Sequence, residues 1–299
     1  MIFYQTALYF EAVPAIERYG LSCVYRKGGL SVFAGEKDEA GRFSGAAAVV
    51  VTGTGSYAAA AGVAFMLGML GAGEGDVFVN YGAAGASCES GLKIGETVRC
   101  IKAVREGERA VYPDVLLGSG FRNAAAFCVN GAAAQFVKRD GELPVVFDNE
   151  SYGALFAAMR VLGPEACFSL KTVTDFAEET AAKGGKIDPK TTTELLRTSS
   201  AGIFEAVEKW AAEISNASLK SRDSFTFDAE TEAAIEALAS SLGLTFSNRE
   251  TLKNTVRRDV LLGKDDTALL RSLVPAPEDV PADKQGRAKL FAEILGKLG

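Results

Sequence analysis

The sequence has 299 residues and no histidine. That absence excludes Ser-His-Asp and Cys-His catalysis and every histidine-based metal site. A proton donor or acceptor here must be a carboxylate, a tyrosine, a lysine or a cysteine. Cysteine is sparse: Cys23, Cys88, Cys100, Cys128 and Cys167, none in CxxC spacing. The odd number fits reduced thiols and a cytoplasmic protein. Cys88 lies in a glycine-rich stretch but is not read as a nucleophile. No basic tract stands out, and the formal net charge is −6, so neither nucleic acid nor an anionic membrane is expected as a partner. The first residues lack a basic region and carry Glu11, so no signal peptide is expected. Residues 43–73 hold no charged side chain at all. The length would suit a membrane span, but Gly53-Thr54-Gly55-Ser56 interrupts it, and alanine and glycine dominate. A buried strand and a buried helix are expected instead. Neither an internal repeat nor a long heptad pattern is present.

The stretch 46–96 organises the rest. An apolar run, 46–51, ends in Thr52-Gly53-Thr54-Gly55; an alanine-rich helical run follows to about residue 70. A second apolar run, 77–80, ends in Tyr81-Gly82-Ala83-Ala84-Gly85. This reads as a βαβ unit with two glycine loops at the carboxyl edge of a sheet, where backbone N–H groups can approach a small polar ligand. Before it, 2–8 read as a strand, Pro14 as the first turn of a helix ending near Gly20, and 22–26 with 30–34 as a hairpin around Lys27-Gly28-Gly29. After it, 95–104 and 109–116 read as strands, and 118–142 cannot be assigned. A strand at 144–147 precedes a helix to Leu162 with Asp148 or Asn149 as its cap. A strand at 166–173 ends in Thr174-Asp175. Residues 177–198 begin as loop, and 200–214 form an amphipathic helix with Ile203, Phe204, Val207, Trp210 and Ile214 on one face. The fold class is therefore α/β over 1–217. Residues 218–299 read as a small all-helical extension whose apolar faces pack on the main domain. Its second helix opens with the capping box Ser247-x-x-Glu250 and is closed by Gly263.

Gly53-x-Gly55-x-x-Ala58 fits a dinucleotide fingerprint, but the next strand ends in Asn80-Tyr81 rather than in the acid that a ribose hydroxyl needs. No cofactor and no metal are expected. Four carboxylates, Glu11, Asp148, Glu150 and Asp175, fall at strand ends or turns; each taken alone reads first as a helix cap or a surface charge, but parallel strands could deliver them to one rim.

Three motifs in a fixed order carry a resemblance. Val79-Asn80-Tyr81-Gly82-Ala83-Ala84-Gly85, followed by Gly91-Leu92-Lys93-Ile94-Gly95-Glu96, is similar to N-x-G-S-A-G and then G-L-x-x-G-D. Phe147-Asp148-Asn149-Glu150-Ser151 is similar to V-D-M-E-A, and Lys171-Thr172-Val173-Thr174-Asp175 to R-A-I-S-D. Over residues 1 to about 215 the chain resembles the nucleoside phosphorylase superfamily, and within it the methylthioadenosine/S-adenosylhomocysteine nucleosidase branch. The resemblance implies a mixed central sheet flanked by helices, with 218–299 outside it, and cleavage of a purine–ribose N-glycosidic bond in an adenosine-type nucleoside modified at the 5′ position. Asp175 would protonate the departing base, Glu150 with Asn149 would hold the ribose, and Glu11 would orient or deprotonate the attacking water. Gly53, Gly55, Ala83, Gly85 and Phe147 would line the base and ligand loops. A homo-oligomer is also implied.

The pattern departs from the family in places. Ala83 stands where a hydroxyl residue is usual and Asn149 where methionine is usual. Phe121, Phe127 and Phe147 are the candidates for stacking on the base. Phosphorylases of the family commonly have R-x-G-S where this chain has Asn80-Tyr81-Gly82-Ala83; Arg18 and Arg26 are the other cations considered for phosphate. Hydrolysis is therefore expected, with phosphorolysis and a non-catalytic nucleoside-binding protein as the alternatives.

Overall fold

The computed structural model describes residues 1–299 apart from 39–42, 114–119, 130–138, 141–142, 183, 185–187, 219–225, 262–266 and 299. The chain divides into two compact units, Met1–Lys220 and Ser221–Gly299.

The first unit is built on one mixed sheet. Strand β1 (Ile2–Thr6) is buried throughout. It lies parallel between β4 (Ala47–Val51) and β5 (Val77–Ala86), so the connection from β4 to β5 passes over β1. Apolar residues on both faces are what a parallel strand covered on both sides requires. Phe3, Ala48 and Val50 face one core, where helices α2 (Ser56–Leu70) and α3 (Ser151–Ala158) pack. Tyr4, Val49 and Val51 face the other, which is filled from α1 (Tyr9–Tyr19) and α5 (Pro189–Ser218) by Ala12, Ile203, Phe204, Val207 and Trp210. Helices α2 and α3 approach closely: a Cβ on Gly153 would fall 1.8 Å from the Ser56 carbonyl oxygen.

The hairpin β2 (Ser22–Lys27) and β3 (Leu30–Ala34) extends the sheet beyond β4. Gly28 and Gly29 both take positive φ, 60° and 83°, as a two-residue type I′ turn demands. On the other side, β10 (Cys167–Phe176) runs parallel to β5, β6 (Thr97–Arg105) antiparallel to β10, and β7 (Arg122–Cys128) parallel to β6. Strand β9 (Leu143–Asp148) is parallel to β7 and pairs with the two-residue β8 (Arg139–Asp140). It then returns to β5 through Gly85↔Phe147 and Ala86↔Val146, so β5, β10, β6, β7 and β9 close on themselves.

Several sequence expectations are corrected. Residues 81–85 are strand, not loop: β5 continues to Ala86 because β10 and then β9 supply partners for its backbone. Pro14 lies inside α1, which starts earlier, at Tyr9. In place of a strand at 109–116 there is one bridge, Ala103↔Val111, and 114–116 lie outside the described residues. Helix α3 stops at Ala158. The loop expected at 177–198 holds α4 (Ala177–Ala182) and the start of α5, where Asp188 accepts the N–H groups of Lys190 and Thr191 at 3.2 Å each and Pro189 opens the helix.

The second unit contains α6 (Ala229–Leu242), α7 (Phe246–Leu261), α8 (Thr267–Ser272) and α9 (Lys284–Leu298), and no strand among the described residues. Its apolar faces meet one another: Ile235, Leu238, Leu252, Leu270, Phe291 and Ile294 form a core of their own. Asp228 caps α6 by accepting the N–H groups of Glu230 and Thr231. At α7 the side chain that accepts an N–H is Thr245, from Asn248 at 3.4 Å, and Ser247 falls inside the helix. Gly263, expected to close it, lies outside the described residues.

Candidate active site

The site grows from the turn between β1 and α1. Position Leu8 begins the helix without a side chain that can cap it. Glu11, one turn in, bends back and supplies the acceptor: Oε2 receives the N–H of Ala7 at 3.0 Å and of Leu8 at 2.8 Å. Its Oε1 receives the N–H of Ala83 at 3.0 Å, tying α1 to β5. The contact needs glycine at position 82, where a Cβ would sit 2.7 Å from Glu11 Oε1. Burial pushes the Glu11 carboxyl up, against the lowering effect of the Ala83 N–H, the Lys171 ammonium and the two turn N–H groups.

Three further charged groups share this space. Glu150, in the turn after β9, is 6 % exposed. Its Oε1 accepts the N–H of Gly55 at 2.8 Å, at the start of α2. Burial, with the Asp148 charge second, pushes its carboxyl up to about 7, although Lys171 and the Gly55 N–H pull the other way. Lys171, in the middle of β10, pairs with Asp148 at 2.9 Å, with both side chains almost wholly buried. Asp148 also accepts the Ser151 N–H at 3.0 Å and the Cys128 thiol at 3.1 Å. Burial opposes its charge, but Lys171 and these donors hold its carboxyl below the ordinary value. A neutral network backs the group: Asn80 Oδ1 accepts from Ser151 and Ser169 at 2.7 and 2.8 Å, Asn80 donates to Gln5, and Gln5 donates to Thr52 at 2.9 Å. Buried polar side chains must find such partners, since an unmade bond costs about 1–3 kcal/mol.

Asp175 stands apart from these four. It pairs in register with Gly85 of β5, just past a bulge in β10. It accepts the hydroxyls of Thr174 at 2.9 Å and Thr180 at 2.6 Å. Gly82 and Gly85, the positions that Glu11 and Asp175 touch, are three residues apart, or about 10 Å of strand. Phe147 pairs with Gly85 from the other side, so Phe147, Gly85 and Asp175 form one row across three strands. Phe147 is 6 % exposed and meets Phe127 edge-on at 6.5 Å. A Cβ on Gly85 would lie 3.2 Å from Ala177 Cβ and 3.3 Å from Asp175 Oδ2. Phe121 packs edge-on to Trp210, on the face covered by α1 and α5.

The structure thus brings Glu11, Glu150, Gly55 and Ala83 together, with Gly53 beside them, its N–H donating to the Ala7 carbonyl at 2.9 Å. Asn149 is half-buried at the same turn. Asp148, read from sequence as a cap or as one of the carboxylates at the rim, and Lys171, quoted only within a motif, prove to be the buried ion pair behind these carboxylates. A lysine inside the apolar run Cys167–Leu170 and Val173 was the one available signal. Arg18 is bound to Glu208 at 2.9 Å and Arg26 lies exposed on β2. Burial and the neighbouring Glu178 push the Cys88 thiol up, the reverse of an activated nucleophile. Among the described residues no cluster of His, Cys, Asp and Glu side chains could hold a metal ion, and no helix is long and apolar enough to cross a membrane.

No family model and no curated protein matches the sequence. Solved structures do match. The 5′-methylthioadenosine/S-adenosylhomocysteine nucleosidase of Streptococcus pneumoniae, in a structure with a transition-state inhibitor, is 15 % identical with a TM-score of 0.54, over 69 % of this chain and 98 % of that one. The corresponding nucleosidase of Neisseria meningitidis, in complex with methylthio-immucillin-A, is 16 % identical with a TM-score of 0.53 and the same coverage. Futalosine hydrolase of Helicobacter pylori is 15 % identical with a TM-score of 0.52, over 70 % and 97 %. Likeness at such identities bears on architecture alone, and in architecture the chain has the fold of the nucleoside phosphorylase superfamily, the one its motifs resemble.

Proposed function

We propose that this chain hydrolyses the N-glycosidic bond of a purine nucleoside, an adenosine-type one modified at the 5′ position. The observation that carries this is the meeting of two buried carboxylates, Glu11 and Glu150, with backbone N–H groups after β1 and β4 and with that of Ala83 within β5. Such a rim suits a sugar that gains positive charge as its bond to the base breaks. Glu150 accepts the ribose hydroxyls, and its negative charge favours the oxocarbenium-like sugar. Glu11, basic through burial and already fixed by three N–H groups, orients the water and takes its proton. Asp175, some 10 Å along β5, gives a proton to the departing base.

Water rather than phosphate is the nucleophile. A phosphate needs uncommitted cations, whereas Lys171 is bound to Asp148 and Arg18 to Glu208, and Ala83 offers no hydroxyl. The substrate range is methylthioadenosine, S-adenosylhomocysteine and 5′-deoxyadenosine, and the neighbours of similar fold include nucleosidases named for the first two. Incubating the protein with each nucleoside in phosphate-free buffer and separating the products tests the reading. Free adenine with free sugar supports it. Binding without release would make this a nucleoside-binding protein on the same fold.

A further inference from the structure

We propose that Lys171 is the positioning residue of this site: its buried ammonium fixes Asp148 and so sets the charge carried by Glu150, two residues further on. The inference rests on the ribose-holding role just assigned to Glu150.

The geometry is specific. Lys171 lies in register with Gly82 of β5, the glycine whose missing side chain leaves room for Glu11. From that row its Nζ reaches Asp148 Oδ2 at 2.9 Å. Asp148 in turn holds both the end of β9 and the first N–H of α3, through Ser151. Glu150 sits between those two anchors and reaches Gly55. Among the described residues, Lys171 is thus the cation whose charge acts on all three carboxylates, Glu11, Asp148 and Glu150.

Stability alone does not explain the pair. A buried ion pair is often matched or bettered by apolar residues of equal volume, because desolvating two charges offsets their attraction. Charge balance does explain it. Three carboxyls buried together without a cation would take up protons, and a neutral Glu150 would give up part of its acceptor capacity for ribose hydroxyls and would not favour a forming cation. Among the described residues, the other titratable groups facing the cluster are Tyr81 from β5, Cys100 from β6 and Cys128 from β7. Burial pushes all three up, so they stay neutral and leave the balance to Lys171. The Lys171 charge lowers Glu150, and the Asp148 charge raises it.

The two halves of one ion pair therefore act on Glu150 in opposite directions. The test is carbon-13 NMR of protein labelled at the glutamate carboxyl, with Glu150 assigned by loss of its signal in Glu150→Gln. Lys171→Met is expected to move the Glu150 titration, upward where Asp148 keeps its charge and downward where Asp148, without its cation, takes up a proton. Asp148→Asn is expected to move it lower, and Lys171→Arg to leave it near wild type. The acidic limb of kcat/KM should move the same way in each variant. A Glu150 titration that stays in place in both Lys171→Met and Asp148→Asn would overturn the proposal and make the pair purely structural. If Lys171→Met fails to fold, the downward shift in Asp148→Asn, or its absence, decides alone. The NMR titration needs no turnover, so failure to release adenine would count against the proposed function and not against this role.

Discussion

Glu150 should make the folded chain less stable at the pH where it works, and Glu150→Gln should reveal by how much. Burial raises its carboxyl from an ordinary value of 4.5 to about 7. A raised acid binds its proton more tightly in the folded chain than in the unfolded one. Its stabilising contribution is thus complete below about pH 4.5 and is lost as pH climbs through 7. At about 1.4 kcal/mol per pH unit, the interval is worth about 3 kcal/mol. Glutamine keeps an oxygen for the Gly55 N–H but never ionises. The variant should match wild type near pH 4.5 and exceed it by about 3 kcal/mol at pH 8. With a urea dependence of ~3 kcal/mol per molar, the midpoint gap at pH 8 is about 1 M. Trp210 is the chain's one tryptophan and is buried in the first unit, so its fluorescence reports this unit's unfolding. A gap between variant and wild type that is the same at pH 5 and pH 8 would refute the reasoning. A gap that opens with pH would show a functional carboxylate held at the expense of stability.

Other expectations follow from single contacts. Asp175→Asn should lower kcat by ~10²–10⁴, the usual share of a general acid, with unchanged circular dichroism; unaltered turnover would remove Asp175 from the reaction. Gly82→Ala places a Cβ 2.7 Å from Glu11 Oε1, and three N–H groups keep Glu11 from retreating, so overpacking of ~1–3 kcal/mol should accompany a drop in kcat/KM. Urea midpoints and initial rates check the two halves separately. If Glu150 holds the ribose, a 2′-deoxynucleoside should be a markedly poorer substrate than its ribo form, and equal rates would end that role. The helices of 226–298 share a core of their own, so that fragment expressed alone should be helical and melt cooperatively. A non-cooperative melt would show that it depends on the first unit.

Much of this architecture is written locally. Lys27-Gly28-Gly29 between two β-rich runs can hardly be other than a hairpin, and the charge-free run after Gly55 can only be buried. Strand β7 is the opposite case. Its Asn-Ala-Ala-Ala core has little strand preference of its own, and the pairing with β6 and β9 makes it a strand. The glycines at 82 and 85 misled for a related reason. They look like loop residues, yet they mark places where Glu11, Asp175 and Ala177 crowd a continuous strand. The start of α5 is legible in Asp188-Pro189, a cap followed by a first-turn proline, although the polar composition of 177–198 reads as loop. In the site, the carboxylates could be named from their places after strands. The ion pair could not: the partner of Lys171 is 23 positions earlier in the sequence, and the sheet brings the two together only when β5, β10, β6, β7 and β9 close into a ring.

The central claim is attack of water on the sugar. It is tested most directly by running the reaction on 5′-methylthioadenosine in oxygen-18 water with phosphate present, then weighing the sugar product by mass spectrometry. Hydrolysis predicts one heavy oxygen on the free sugar and the same adenine yield with or without phosphate. A sugar 1-phosphate, or adenine that forms only when phosphate is added, would contradict it.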